Sequence, residues 1–458
     1  MRLEEYLQSL TKKSVSVVGL GVSNAPLVRL LLAAGVSVTV RDQREREALG
    51  VLFGELEAGG ARFILGKGYL ENIAEEVVFR TPGLHPYVPE LCAARERGSL
   101  VTSEMEAFFE LCPCRVIAVT GSDGKTTTTT IISEILKAGG YTVHVGGNIG
   151  TPLLDRVPEM KPSDVVVLEL SSFQLHSMRC APDVAVITNL APNHLDIHPT
   201  MQDYSDAKKM IFKNQRDNGV LVLNAACALL DDFADDAPGE VRYFNTSATE
   251  ICAYLTGDRV IIRHNEIEIE IMSTYDIKIP GSHNVENYMA AILVTLDFVD
   301  PRVYKRVAME FPGVRHRLEL VREIGSVQYI NDSIASSPTR TAAGLHAIPT
   351  KPHLIAGGYD KHLAFDELGS EICRNVKALY LTGDTAEAIR RAVTNAPEYT
   401  EDLTINMLGS FDEAVLAAHN AAGEGDIVLL SPACASFDMF KNFEERGDRF
   451  REIVLELE

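Results

Sequence analysis

Residues 116–127 run V-I-A-V-T-G-S-D-G-K-T-T. An apolar strand gives way to a turn holding two glycines, and a helix is predicted from Thr128 to Ala138. That order suits phosphate. A helix N-terminus offers unpaired N–H groups and a partial positive charge. Gly121 and Gly124 let the backbone of Ser122 and Asp123 approach phosphate oxygens with no Cβ in the way. Lys125 can reach terminal phosphates, and the hydroxyl of Thr126, followed by Thr127, can ligate Mg²⁺. The loop is shorter than the usual phosphate loop, because Val119 stands where that loop has its first glycine. The bland alternative is a strand, turn and helix with a surface lysine.

Other residues able to do chemistry stand at the ends of apolar runs. Asp164–Leu170 closes on Glu169, a carboxylate suited to holding Mg²⁺ opposite Thr126. The strand Val184–Leu190 leads into N-H-L-D-I-H at 193–198. Zinc is one reading of that cluster, but the spacing fits no zinc motif and the neighbours suit Mg²⁺. The helix Tyr204–Phe212 carries Lys208 and Lys209, which by themselves read as a solvated face. Asn284 and Asn287 lie three apart at the head of a helix running on from Tyr288 to Leu296, placed either to meet a base edge or to cap the helix. Near the N-terminus, strand Ser14–Val18, turn Gly19-Leu20-Gly21-Val22-Ser23-Asn24 and helix Pro26–Ala34 precede strand Val36–Val40 and Asp42. This approaches the dinucleotide fingerprint, with Asn24 in place of its third glycine. The strand Glu76–Phe79 runs into Thr81-Pro82-Gly83 at a carboxyl end, where open α/β sheets bind ligands.

These elements imply an α/β protein of three domains: a Rossmann-like domain over residues 1–110, a central mostly parallel sheet of phosphate-loop ATPase type over 111–310, and a second Rossmann-like domain over 311–458. In the third, strands are predicted at Ser326–Ile330, His353–Ala356, Ala378–Leu381, Thr404–Leu408 and Asp426–Leu430. Composition is that of an ordinary globular chain, 46% hydrophobic and 23% charged. The net charge of −21 argues against nucleic acid. No apolar run reaches membrane-spanning length and the first residues lack signal-peptide character, so the cytoplasm is the expected location, with no membrane partner. Eight cysteines in 458 residues make no disulfide framework, and Cys112 and Cys114 read as loop thiols.

Taken in order, T-G-S-D-G-K-T, G-G-N-I-G-T-P (146–152), L-E-L-S-S-F-Q-L (168–175), N-H-L-D-I-H, Y-x-x-A-K-x-x-I-F, G-x-H-N-x-x-N, H-R-L-E (316–319), N-D-S (331–333) and L-S-P-A-C-A-S-F-D-x-F-K-N-F-E-x-R-G (430–447) resemble the Mur ligases of peptidoglycan synthesis over nearly the whole chain. The last stretch, with the G-L-G turn at 19–21, is most similar to the branch that adds D-glutamate. The resemblance implies an ATP-dependent amide ligase with ATP and Mg²⁺, acting as a monomer on UDP-N-acetylmuramoyl-L-alanine and D-glutamate. It implies that Gly19, Gly21, Val22, Ser23, Asp42, Arg44, Thr81, Pro82 and Gly83 meet the UDP part, and that Asn148 meets the muramoyl part. ATP would lie on Gly121, Ser122, Asp123, Gly124, Lys125, Thr126 and Thr127, with Asn284 and Asn287 near the adenine and Arg317 and Asp332 completing the site. Metal would be held by Thr126, Glu169, His194 and Lys208 as a carbamate. The acceptor would meet Ser336, Lys361, Ser436, Phe437 and Phe443, with Lys125, His194, Lys208, Arg317 and Lys361 as the catalytic set. His316 is a candidate neighbour of the acceptor amine.

One departure bears on the acceptor. The family's N-D-S-K pattern has Ile334 at the lysine position, and an isoleucine supplies no charge there. A sister Mur ligase adding a diamino acid is therefore a second reading, disfavoured because no D-N-P-R stretch occurs. An NAD-dependent dehydrogenase, resting on Gly19 to Asp42 alone, leaves residues 116–212 unexplained. A non-catalytic nucleotide-binding protein is disfavoured by the presence of Lys125, Glu169, His194 and Lys208 together.

Overall fold

The structure, a computed structural model, describes residues 1–458 apart from Val22, 192–197, Pro199, Pro280, Lys361 and His362. The expectations on Val22, His194 and Lys361 fall outside the described residues. The chain forms two compact units, Met1–Phe311 and Pro312–Glu458.

The first unit holds two sheets. One is fully parallel and orders β1 (Val15–Val18), β2 (Val38–Asp42), β3 (Arg62–Leu65), β4 (Val77–Arg80) and β5 (Leu100–Thr102) as β3-β2-β1-β4-β5. Strand order reverses at β1, so the turns after β1 and β4 open together at the carboxyl edge. The other sheet begins with β6 (Arg115–Thr120), β7 (Val143–Gly147), β8 (Val165–Glu169), β9 (Val184–Ile187), β10 (Val220–Asn224) and β11 (Glu240–Phe244). It continues with β12 (Ile251–Thr256), β13 (Arg259–His264) and β14 (Ile267–Ser273), in the order β14-β13-β12-β11-β10-β9-β6-β8-β7. The sheet is mostly parallel, as expected, and β12–β14 add an antiparallel meander at its edge for which no strands were predicted. Their alternating residues read equally as exposed loop, since β14 is mostly exposed along its first four positions.

β6 sits between β9 and β8, buried on both faces, and its run from Val116 to Val119 is the apolar signature of such a strand. The helix behind the turn starts at Lys125, three residues earlier than predicted. Gly124 takes a left-handed conformation (φ +77°) and its carbonyl already accepts from Thr128 N at 2.9 Å. Lys125 and Thr126 thus belong to the first helical turn rather than to a loop. Other predicted helices likewise begin early, at Asn24, Met201 and Ser282. Polar residues at helix starts carry no apolar periodicity, so the pattern is silent there.

The second unit carries β15 (Glu319–Ile324), β16 (Val327–Asn331), β17 (His353–Ala356), β18 (Ala378–Leu381), β19 (Thr404–Met407) and β20 (Ile427–Leu430), ordered β15-β16-β20-β17-β18-β19. Among the named strands of the described residues, β15 alone is antiparallel, paired with β16 across the turn at Gly325 (φ +52°). Its carboxyl edge gathers Asn331–Ser336, Gly357–Tyr359 and Ser431–Ser436.

Candidate functional site

The phosphate-type loop is held from below by residues far away in sequence. Asn189, just beyond β9, accepts from the backbone N–H groups of Ser122 (3.0 Å) and Asp123 (2.8 Å) through its side-chain oxygen. The Thr188 hydroxyl donates to the Asp123 carbonyl at 2.5 Å. Asn287 accepts from the Thr128 hydroxyl at 3.0 Å and donates to Asn284 at 3.0 Å. A Cβ on Gly124 would lie 2.6 Å from the Asn287 side-chain oxygen, and one on Gly121 (φ +150°) would overlap the Thr188 hydroxyl. Both glycines are therefore required by close approach as well as by conformation. Lys125 Nζ donates to the carbonyls of Gly121 and Ser122 at 2.9 Å each, so the ammonium lies over its own loop.

Beside the loop, the Thr126 hydroxyl donates to Glu169 Oε2 at 2.7 Å, and Asn148 Nδ2 donates to Glu169 Oε1 at 2.8 Å. Glu169 is buried at the end of β8. Asn148, expected to meet substrate, here orients the carboxylate. A carboxylate and a hydroxyl side by side at a phosphate-binding helix fit a hard, oxygen-liganded divalent ion.

Lys208 lies beneath the loop with 1% of its surface exposed. Its ammonium nitrogen donates to the Gly121 carbonyl (2.9 Å) and the Thr120 hydroxyl (3.2 Å) and stands 4.7 Å from the centre of the Tyr204 ring. Burial and then the Lys125 charge push it well below the usual lysine range, against the pull of Asp123 and Glu169. The solvated-face reading of the lysine pair is corrected here. Lys209 is instead half-buried, bonding exposed Asp236 at 2.7 Å with its ammonium 4.8 Å from the centre of the Phe233 ring. Adjacent residues on a helix point about 100° apart, so one of the pair enters the core.

At the first sheet, Gly19 (φ +81°) lets the Thr81 side chain close over it, since a Cβ there would come 2.6 Å from Thr81 Cγ2. Asp42 accepts from Leu20 N at 2.7 Å and from Arg44, which also donates to the Leu20 carbonyl. Burial works to raise the Asp42 carboxyl, but Arg44 and two backbone N–H groups outweigh it and hold it below the usual carboxylate range. Asn24 fills the third-glycine position by donating to the carbonyls of Val18 and Gly19. Ser23, Pro82 and Gly83 stand around the same edge. Arg80, unforeseen from sequence, is 1% exposed and donates to the carbonyls of Thr81, Pro82 and Leu84 and, across to the second sheet, to the Phe173 carbonyl and the Ser177 hydroxyl. It locks the Thr81–Gly83 turn against the central sheet.

In the second unit, Arg446 is buried and binds the Ser333 hydroxyl (3.0 Å) and carbonyl (2.9 Å) and the carbonyls of Cys434 and Ala435 (3.1 Å each). This one side chain fixes both loops that carry the acceptor candidates Ser336 and Ser436. The only sequence signal for it was the arginine within the 430–447 stretch. Ser436 is buried, Phe437 is exposed against Tyr359, and the Phe443 carbonyl accepts from the Ser333 hydroxyl at 2.8 Å. Asp332 is buried, accepts from the Ser431 hydroxyl and Leu318 N, and is pushed up by burial to about 7. Arg317 is exposed and Ile334 half-buried on the same edge. His316 is corrected as a neighbour of the acceptor amine. It is 5% exposed, its Nδ1 meets Asn331 at 3.1 Å, and it is packed under Gly447, so it serves as a core histidine.

The first unit thus pairs a turn of phosphate-loop type with a carboxylate and a buried lysine, and the second unit carries a polar sheet edge of its own. Comparison with known proteins supplies the class. The Mur ligase middle domain matches residues 119–295, and the Mur ligase glutamate ligase domain matches 316–434. The UDP-N-acetylmuramoylalanine–D-glutamate ligase of Acetivibrio thermocellus is 48% identical, over 100% of this chain and 99% of that protein. The enzyme of the same name from Clostridium novyi is 47% identical, over 98% of each. Among solved structures, UDP-N-acetylmuramate-alanine ligase of Thermotoga maritima matches with TM-score 0.56 at 18% identity, over 97% of this chain and 99% of that one. FolC of E. coli, in complex with DHPP and ADP, matches with TM-score 0.53 at 19% identity, over 77% and 91%. The chain belongs to the Mur ligase family. The dehydrogenase reading of Gly19 to Asp42 falls with that assignment.

Proposed function

We propose that this chain joins D-glutamate to UDP-N-acetylmuramoyl-L-alanine with ATP, in peptidoglycan precursor synthesis in the cytoplasm. The observation that carries the ligase chemistry is the Thr126–Glu169 pair beside the Gly121–Lys125 turn, with Lys208 buried beneath it. The full-length identity to D-glutamate ligases supports the acceptor.

In the proposed sequence, the alanyl carboxylate oxygen attacks the γ-phosphorus, the bond to the β-phosphate oxygen breaks, and ADP leaves. The glutamate amine then attacks the acyl carbon, the C–O bond to phosphate breaks, and phosphate leaves as the amine gives up its proton. The chain's share is positioning and charge neutralisation. The helix terminus at Lys125 and Thr126 receives the phosphates, and Lys125 swings from the Gly121 and Ser122 carbonyls to the terminal phosphate oxygens. Thr126, Glu169 and a carbamate on Lys208 are the residues that would hold Mg²⁺, which when bound neutralises phosphate charge. A lysine held well below its usual range supports the carbamate, because only a neutral amine adds to CO₂. Gly19, Gly21, Thr81 and Gly83 would receive the UDP moiety, and Asp42 with Arg44 would shape its edge. Arg317, Asp332, Ser336, Ser436, Phe437 and Phe443, with Lys361, keep their expected roles as part of the same proposal, over the three-domain division at residues 110 and 310.

The test is phosphate release from ATP and Mg²⁺ with UDP-N-acetylmuramoyl-L-alanine, run in parallel with D-glutamate, L-glutamate, D-lysine and a diamino acid. Release dependent on D-glutamate alone is expected. Release with another amino acid would keep the ligase chemistry and make Ile334 the reason for a different acceptor pocket.

A further inference from the structure

Away from the phosphate loop, three potential metal ligands from three parts of the first unit converge. They are His85, in the segment after β4; His176, immediately after the short helix Ser172–Leu175; and Asp203, in the first turn of the helix Met201–Lys213. One donor atom from each lies within 4.8 Å of the other two. His176 Nε2 is 3.0 Å from Asp203 Oδ1, and the two histidine rings meet edge to face with centres 4.7 Å apart. Nothing in the proposed ligase chemistry uses these residues.

The geometry points to a transition-metal site, of the zinc type, formed by His85, His176 and Asp203, which joins the substrate turn of the first sheet to the helix carrying Lys208. Ligand atoms around a tetrahedral zinc ion stand about 3.3 Å apart, given metal–ligand bonds near 2.0–2.1 Å. The His176–Asp203 pair is already near that spacing, and His85 closes the triangle with a small shift. Two imidazoles and one carboxylate suit zinc, nickel or cobalt rather than Mg²⁺ or Ca²⁺. The fourth position would be left to water.

Three further observations fit. His85 Nε2 is buried and has no hydrogen-bond partner among the described residues, an orphan that a metal would satisfy. Bonding there moves the ring proton to Nδ1 and gives up the long 3.3 Å contact from Tyr87 N. The second Asp203 oxygen is held by His198 Nδ1 at 2.6 Å, and His198 Nε2 meets the Ser172 hydroxyl at 2.9 Å. Outer partners of this kind orient a ligating carboxylate. Burial also lowers both imidazoles from the usual histidine range, against the pull of Asp203. Arg80, whose charge works in the same direction on His85, is the opposing influence on a bound cation.

The consequence is mechanical. His85 follows Gly83 of the Thr81–Gly83 turn by two residues, and Asp203 precedes Lys208 by five on one helix. An ion across them ties the turn proposed to receive UDP to the helix of the proposed carbamate.

The experiment uses the full chain, stripped with EDTA and titrated with Co²⁺ as a spectroscopic stand-in for Zn²⁺. One equivalent should give a visible d–d band of tetrahedral intensity, and Zn²⁺ should displace it and raise the melting temperature. His85→Gln and His176→Gln should each abolish the band, with melting in EDTA close to that of the parent. Glu169→Gln, at the Mg²⁺ position, should leave the band in place. The proposal is overturned by no band, by a band that survives both histidine substitutions, or by one lost in E169Q. Anomalous scattering from zinc-soaked crystals of the parent needs no variant: a peak among the three side chains supports the site, and its absence there overturns it.

Discussion

The hydroxyl of Thr126 is bonded to the carboxylate of Glu169 at 2.7 Å, although 43 residues separate them. The first sits on the opening turn of a helix and the second on the end of a neighbouring strand. Their contact is the feature on which the proposed divalent-ion site rests. Thr126→Ala and Glu169→Gln should each lower turnover by ~10²-fold or more. Phosphate release titrated with Mg²⁺ checks this, and both variants should need more Mg²⁺ for half-maximal rate.

Lys208 should be needed as a neutral amine that gains a carboxyl group. Lys208→Ala should lose nearly all activity and recover part of it with added formate or acetate. In ¹³C-labelled bicarbonate the parent should show a carbamate resonance that Lys208→Arg lacks. A variant with near-normal turnover would sink the idea. Lys209→Ala, which removes an ion pair with exposed Asp236 and a contact over the Phe233 ring, should keep near-parent turnover.

Gly124→Ala should weaken ATP binding by ~10-fold or more, since the new Cβ meets the Asn287 oxygen and a positive φ is strained for alanine. Asn287→Ala in the same chain relieves the clash but not the strain, so recovery should be partial. Nucleotide affinity by calorimetry is the measurement.

Arg446 holds two loops through carbonyls and a hydroxyl, and a lysine cannot reproduce its fork of donors. Arg446→Lys should raise KM for glutamate ~10-fold or more, by loosening the loops that bear Ser336 and Ser436. KM for ATP should move little. Steady-state kinetics with each substrate varied in turn separates the two.

Asp332 has a folded pKa near 7 against an ordinary value of 3.8, raised by burial. Between those values the folded chain binds more protons than the unfolded one, so stability falls as pH rises from about 4 to about 7 and is flat above. The contribution is on the order of a few kcal/mol. Urea unfolding across that range should show the slope, and Asp332→Asn, which cannot ionise, should flatten it.

The sequence by itself determined the local pieces. Apolar runs of four to six residues ending in glycine, hydroxyl or carboxylate residues gave the parallel strands and the edge where chemistry gathers, because strand, turn and helix N-terminus are short-range events written in adjacent residues. Tertiary structure decided which partners complete them. Asn189 and Thr188 under the phosphate loop, Asn287 against Gly124, Arg80 between two sheets and Arg446 between two loops all act across 11 to 163 residues of chain. Asn, Thr and Arg are ordinary surface residues unless packing buries them, and no spacing rule announces that. Lys208 and Lys209 make the point most sharply: neighbours of one type, parted by a single helical step, one into the core under the loop and the other out to an ion pair with exposed Asp236.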